Sequence, residues 1–238
     1  MSRTFLITGA GKGIGLALAG RLAADGHHVI GMARNAPPSF PGAFIPVDLG
    51  DDIAAAAAFA VVAERFDLDG VVNNVGLVRP ALLADTTLAD LDAVMQLNLH
   101  PALLAVQAAL PGMQARAWGR IVNIASLTVL GTTQRTAYAA AKAALVSFGR
   151  TWALELAGTG ITVNTVAPGP TETELFRANN PQGSAGEQRY LAGVPMGRFG
   201  TPEEIAAAIE FLLTEDAGFI TGQTLHVDGG ASIGKLAI

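Results

Sequence analysis

No cysteine occurs among the 238 residues of the chain. Disulfides, thiolate metal ligands and cysteine nucleophiles are therefore excluded. The four histidines, His27, His28, His100 and His226, show no metal-ligand spacing beyond the adjacent pair. That pair reads as a solvated strand entrance, and no metal is expected. Charge is also scarce, at 15% of residues with a net charge of −5. No basic patch is visible, so a nucleic-acid partner is not expected. The longest uninterrupted apolar run, Ile53 to Ala63, falls short of the about 17–25 residues that span a bilayer. A membrane partner is not expected either. The opening residues Met1 to Thr8 lack the long apolar stretch of a signal peptide and lead straight into a glycine turn. The expectation is a soluble, cytoplasmic protein.

What is present is hydrophobic, 50% of residues, enough for one large core. Short apolar runs at 5–7, 29–33, 44–47, 70–73, 120–124, 161–166 and 224–227 read as strands. Helical spacing is found at 14–24, 53–65, 88–113, 136–157 and 202–213, the last capped by Thr201 with Glu203 and Glu204 in its first turn. In the 88–113 stretch, Pro101 is expected to interrupt the helix. Strands alternating with helices predict an α/β fold: a single-domain, doubly wound, Rossmann-type parallel sheet of about seven strands. No linker divides residues 1–238. Residues 170–200 differ, being rich in Pro, Gly, Asn and Gln with little periodicity, and read as irregular and functional.

The first strand runs into Thr8-Gly9-Ala10-Gly11-Lys12-Gly13-Ile14-Gly15. Glycines admit a phosphate close to the backbone, and the following helix offers free N–H donors and a positive dipole end. The spacing fits neither G-x-G-x-x-G nor the Walker pattern; it is Gly9-x-x-x-Gly13-x-Gly15. The second strand ends at Arg34, where an NAD site prefers an acid. A cation there, with Lys12, suits a 2′-phosphate and favours NADP(H) over NAD(H). Asp48, before Leu49, either reaches an adenine amino group or caps the next helix. Asn73-Asn74-Val75-Gly76 leaves the fourth strand at the same edge, where small amides and a glycine can floor a cofactor site. Pro168-Gly169-Pro170-Thr171 leaves the sixth.

Tyr138 and Lys142 stand four residues apart, on one helix face. A phenol with a reference pKa near ~10 is a poor acid or base at neutral pH. A cation within about 4–6 Å favours the phenolate. Ser126 lies just beyond the fifth strand, and Asn98 lies inside a helix close to Pro101.

Taken in order, Gly9-x-x-x-Gly13-x-Gly15, Asn73-Asn74-x-Gly76, Asn98, Ser126, Tyr138-x-x-x-Lys142 and Pro168-Gly169 resemble the short-chain dehydrogenase/reductase family from Thr4 to Gly230. The second half looks most like 3-oxoacyl-[acyl-carrier-protein] reductases and related bacterial ketone reductases. The resemblance implies an NADP(H)-dependent oxidoreductase interconverting a ketone and a secondary alcohol. Tyr138 would be the general acid/base. Lys142 would hold the nicotinamide ribose and lower the Tyr138 pKa. Ser126 would hold the carbonyl oxygen, and Asn98 a water for proton resupply. Thr171 and Thr173 resemble threonines near the nicotinamide amide. Segment 170–200 would be the substrate loop, its polar tip suggesting mobility. A homotetramer is also implied, with 137–157 and 231–238 as candidate interfaces.

Two departures bear on the substrate. Thr159 and Ala117 stand where arginines that dock an acidic carrier protein are expected, although Arg116 is adjacent. A small-molecule ketone is therefore favoured over a carrier-bound one. A silent nucleotide-binding regulator is the alternative from another class, disfavoured by the intact Ser126, Tyr138 and Lys142. A methyltransferase is disfavoured by the missing acid after the second strand.

Overall fold

The structure, a computed structural model, describes residues 1–234. Its strands are β1 (Thr4–Thr8), β2 (His28–Ala33), β3 (Ala43–Pro46), β4 (Gly70–Asn73), β5 (Gly119–Ile124), β6 (Ile161–Pro168) and β7 (Thr224–Val227). They form one parallel sheet in the order β3-β2-β1-β4-β5-β6-β7. Between them lie α1 (Gly13–Ala24), α2 (Asp52–Arg65), α3 (Leu88–Ala115), α4 (Thr136–Glu155), α5 (Glu174–Asn179), α6 (Ala185–Leu191) and α7 (Pro202–Leu213).

Alternation along each strand builds two cores, one on each sheet face. Leu6, Val71 and Ile121 face one way, packing with Phe59 of α2 and Met113 of α3. Phe5, Ile7, Val72 and Val122 face the other, against Leu18 and Leu22 of α1 and Ile205, Ile209 and Leu212 of α7. Order reverses between β1 and β4. In such sheets the ligand crevice opens beyond the strands' carboxyl ends at the switch point.

α3 runs through Pro101 and Pro111 without a break, contrary to the expected interruption. Packing of Val94, Ala102, Ala105, Ala109 and Met113 outweighs the hydrogen bonds the prolines remove. α3 also has the length and composition of a membrane span, with a mean hydropathy of 1.3 in its most apolar window. Its buried positions lie in the protein core.

Segment 170–200 is more ordered than its composition suggests. α5 and α6 are capped by Thr173 and Ser184, whose side chains accept from Phe176 N and Glu187 N at 3.1 Å each. Arg177 joins the two helices through Glu172 and Glu187. Phe176 packs edge-on against Tyr190 and Phe199, with ring centroids 5.5 and 5.0 Å apart. Asn180, in the tip expected to be mobile, is buried. Its side-chain amide donates to Phe176 O at 3.2 Å. The two ends of the segment meet: Gly200 N donates to Pro170 O at 3.1 Å, and Glu172 N donates to Gly200 O at 2.9 Å. The candidate interface at 231–238 falls partly outside the described residues.

Candidate active site

The ends of β1, β4, β5 and β6 open into a cleft of about 670 Å³. At one end lies the glycine turn. Gly9 has φ +67°, and a side chain there would come within 2.9 Å of Asn74 Nδ2, so only glycine fits without strain. Asn74 is a brace. Its Nδ2 donates to Thr8 O and Gly9 O at 3.0 and 3.1 Å, while Thr8 Oγ1 accepts from Asn74 N and Val75 N. β4 is thereby clasped to the turn.

Lys12 caps α1 without a side-chain hydrogen bond, and no acid occupies the first turn. The helix therefore presents unpaired N–H groups and its positive end towards the cleft. Gly9, Gly11, Lys12, Gly13 and Ile14 line it, whereas Gly15 is buried behind. Arg34 and Lys12 are exposed at the same end, and neither makes an ion pair among the described residues. Asp48 and Leu49 line the adjoining wall. Asp48 does not cap α2; its Oδ1 accepts from Gly50 N at 3.0 Å, and Asp51 is the cap, accepting from Ile53 N and Ala54 N. The turn, the open helix end and the two free cations fit a dinucleotide carrying a further phosphate.

At the other end, Ser126, Tyr138 and Lys142 share one wall. Ser126 follows β5 and its Oγ accepts from Thr128 N at 3.2 Å. The same hydroxyl favours the ionised form of the nearby Tyr138 phenol. Lys142 is 2% exposed and its Nζ donates to Ile124 O at 2.8 Å. That Nζ lies 5.6 Å from the Tyr138 ring centroid.

The electrostatics differ from the expectation for the tyrosine. Burial pushes the Tyr138 phenol up to about 12, outweighing the Ser126 hydroxyl and the nearby charge of Arg135. Lys142 is not among the groups that lower it. Burial also pushes the Lys142 ammonium down to about 7. Desolvation favours the neutral form of each group, most firmly for buried Lys142 and less so for Tyr138, which is half-buried and faces the cleft.

Asn98 sits in α3 beneath this wall. Its Nδ2 donates to Val94 O at 2.8 Å and Leu77 O at 3.0 Å, while its buried Oδ1 has no partner. A side chain at Gly76 would stand 2.9 Å from Asn98 Oδ1 and 3.3 Å from Lys142 Nζ. Glycine there keeps the approach to both atoms open. Pro168, Gly169, Thr171 and Thr173 close the roof. Thr171 Oγ1 donates to Gly169 O at 3.0 Å. Thr173 and Glu174 reach down to the turn, 3.4 and 3.6 Å from a methyl built on Gly13.

The cleft thus gathers all the candidate residues except Asn98, Gly15 and the braced part of Asn74, which lie just behind its surface. Tyr190 and Phe176, in its outer wall, were missed in the sequence. Only the cap spacing Ser184-x-x-Glu187 hinted at structure there.

Residues 9–232 match a family model described as enoyl-(acyl carrier protein) reductase. The chain is 40% identical to the 3-oxoacyl-[acyl-carrier-protein] reductase FabG of Vibrio cholerae, over 94% of this chain and 95% of that protein. The chain belongs to the short-chain dehydrogenase/reductase family. Members are oxidoreductases, and this chain is one of them. Among solved structures, a short-chain dehydrogenase/reductase family protein superposes with a TM-score of 0.88 at 37% identity, covering 97% of each chain. ElxO with NADP bound superposes with a TM-score of 0.89 at 31% identity, covering 97% of this chain and 99% of that one.

Proposed function

We propose that the chain reduces a small-molecule ketone with NADPH, and oxidises the corresponding secondary alcohol in reverse. The observation that carries this reading is the shared wall of Ser126, Tyr138 and Lys142, facing a cleft that ends in an uncapped helix terminus beside Arg34. NADP(H) is the cofactor, as in the ElxO structure, and when bound it would supply a hydride to the carbonyl carbon. The turn Gly9–Gly15 would hold its pyrophosphate, with Lys12 and Arg34 on the 2′-phosphate. Asp48, Leu49, Asn74 and Gly76 would line the adenosine and ribose. Pro168, Gly169, Thr171 and Thr173 would face the nicotinamide amide.

Ser126 Oγ holds the carbonyl oxygen in place. Tyr138, kept protonated by burial, gives that oxygen its phenolic proton. Lys142, poised near neutrality, restores the proton. Asn98 Oδ1, buried and unpartnered, accepts from the water that connects Lys142 to solvent. In the reverse direction Tyr138 is the base, so alcohol oxidation should accelerate with pH above neutrality.

The curated relative favours a second reading, reduction of a carrier-bound 3-oxoacyl group. Against it, Arg116 is spent on Asp67, Asp69 and Leu68 O, and Thr159 Oγ1 donates to Leu156 O. Neither of these two positions therefore offers a free cation to an acidic carrier. We assign the protein to the cytoplasm as a homotetramer, with Leu154 of α4 exposed beside the Phe148–Trp152 pair at a subunit contact.

The test is NADPH oxidation over 3-ketoacyl thioesters, diketones, sugars and cyclic ketones, with carrier-bound and free thioesters compared. Turnover of free ketones at rates exceeding the carrier-bound substrate is expected. Tight NADPH binding with no turnover of any ketone would sink the reading. Arg34→Ala should weaken NADPH by about 10- to 100-fold, as loss of a charge-assisted phosphate contact does, and NADH by much less. Equal losses would overturn the cofactor assignment.

A further inference from the structure

Beyond the catalytic wall, a second chamber of about 830 Å³ extends under α6. It shares Leu127, Thr132, Arg135, Asn180 and Tyr190 with the cleft. Its lining contains two arginines, Arg135 and Arg189, and no aspartate or glutamate. Neither arginine makes an ion pair among the described residues. The other arginines of this region do: Arg177 is held by Glu172 and Glu187, and Arg198 by Glu204.

Arg135 is held at the boundary of the two chambers, three residues before Tyr138. Gln134 adopts φ +63°, a left-handed conformation uncommon for a residue with a side chain. Such strain persists where surrounding structure enforces it. Here the Gln134 carbonyl accepts from Ala81 N at 3.3 Å and from Arg135 Nη1 at 3.0 Å, and Ala81 bridges Arg135. Arg135 Nη2 donates to the Tyr190 hydroxyl at 3.3 Å, a long and neutral contact for a guanidinium. The half-buried charge thus lacks an anionic partner in a chamber without acids.

We propose that the substrate is a ketone bearing a carboxylate, which the second chamber binds on Arg135 while the carbonyl faces Tyr138. The planar fork of Arg135 matches a carboxylate with two parallel hydrogen bonds, and the carboxylate displaces the Tyr190 hydroxyl from Nη2. Arg189, exposed at the chamber wall, adds attraction from a distance. Thr132, Thr133 and Asn179 add hydrogen-bonding groups to walls that are otherwise mostly apolar, with Leu127, Val194, Pro170 and Pro181 among them, so the carbon chain between carbonyl and carboxylate has apolar surface to lie on.

This inference rests on the ketone-reductase reading, so its test has an arm that needs no turnover. Oxo acids with the ketone one to four carbons from the carboxylate are compared with their methyl esters as substrates. For the best-fitting length, the wild type should favour the acid by about 30-fold or more in kcat/KM, a size typical of a charge-assisted contact. In Arg135→Leu the acid-to-ester ratio should fall to near unity, while Arg135→Lys should keep most of it. In parallel, calorimetry of the NADP-loaded protein compares pentanoate with methyl pentanoate. Tighter binding of the anion, lost in Arg135→Leu, supports the anion site even if no ketone is reduced, in which case the reductase reading alone fails. Equal affinities for acid and ester, or a ratio untouched by Arg135→Leu, would overturn the carboxylate assignment while leaving ketone turnover standing.

Discussion

The two faces of the cleft are built by different means. One wall grows from the sheet: Ser126 leaves β5, and α4 presents Tyr138 and Lys142 with Ala137, Ala141 and Leu145 buried beneath them. Moving any of these side chains means moving the core. The opposite wall, residues 171–200, rests on its own small cluster of Phe176, Tyr190 and Phe199 and on ion pairs of Arg177. It contributes few residues to either main core; Val194 and Phe199 are buried, but neither belongs to the sheet-face clusters. The wall that carries Ser126, Tyr138 and Lys142, with Arg135 at the head of α4, is thus tied to the core, whereas residues 171–200 can be altered at lower cost to folding.

The sharpest way to break this contrast is Tyr138→Phe. It removes the phenolic proton and leaves the packing. Activity should drop by about 10²–10⁴-fold, with NADPH affinity and the unfolding midpoint nearly unchanged. A parallel loss of cofactor binding would make Tyr138 a structural residue.

A second measurement tests the cost of the rigid face. Burial depresses the Lys142 ammonium in the folded state, from its ordinary 10.5 to about 7. Between pH ~7 and ~10 the unfolded chain holds a proton that the folded chain lacks, so stability rises with pH in that window and is lost as pH falls towards 7. Tyr138, shifted up from 10.0 to about 12, acts in the opposite sense only above ~10. Urea unfolding of the cofactor-free protein should show a pH-dependent gain of up to about 1.4 kcal/mol per unit relative to Lys142→Met. Parallel pH profiles for the two proteins would mean that Lys142 is protonated in the folded state at neutrality.

The smallest effect is expected on the other face. Phe176→Ala removes the ring shared by Tyr190 and Phe199. It should raise KM several-fold and speed proteolysis within 171–200, with kcat for saturating substrate and the global unfolding midpoint little changed. A large fall in the midpoint would show that the segment is part of the core after all.

The sequence made the rigid face legible and the other face opaque, for physical reasons. Strands such as Phe5-Leu6-Ile7 and Val71-Val72 are buried on both sides, and α1, α4 and α7 are long enough to show a periodic stripe. Tyr138 and Lys142 meet because they are one turn apart. α5 and α6 are too short for periodicity, and only their caps, Thr173 and Ser184, mark them. Arg135 meets Tyr190 across 55 residues, a proximity no local pattern encodes. The helix through Pro101 was misread because propensity was weighed without the packing that overrides it. The upward push on the Tyr138 phenol comes from desolvation, which depends on packing around the cleft and is not encoded in the Tyr138-x-x-x-Lys142 spacing.

The two hydrogen bonds joining Gly200 to Pro170 and Glu172 have a practical consequence. They bring the entrance and exit of a 30-residue excursion side by side, just before α7 begins. The excursion is therefore an exchangeable cassette. A segment of different length grafted between these two points leaves β6 and α7 where they are, because closure entropy changes only slowly with loop length. Recombining such cassettes between related chains would test whether substrate choice follows the excursion while Ser126, Tyr138 and Lys142 keep their places.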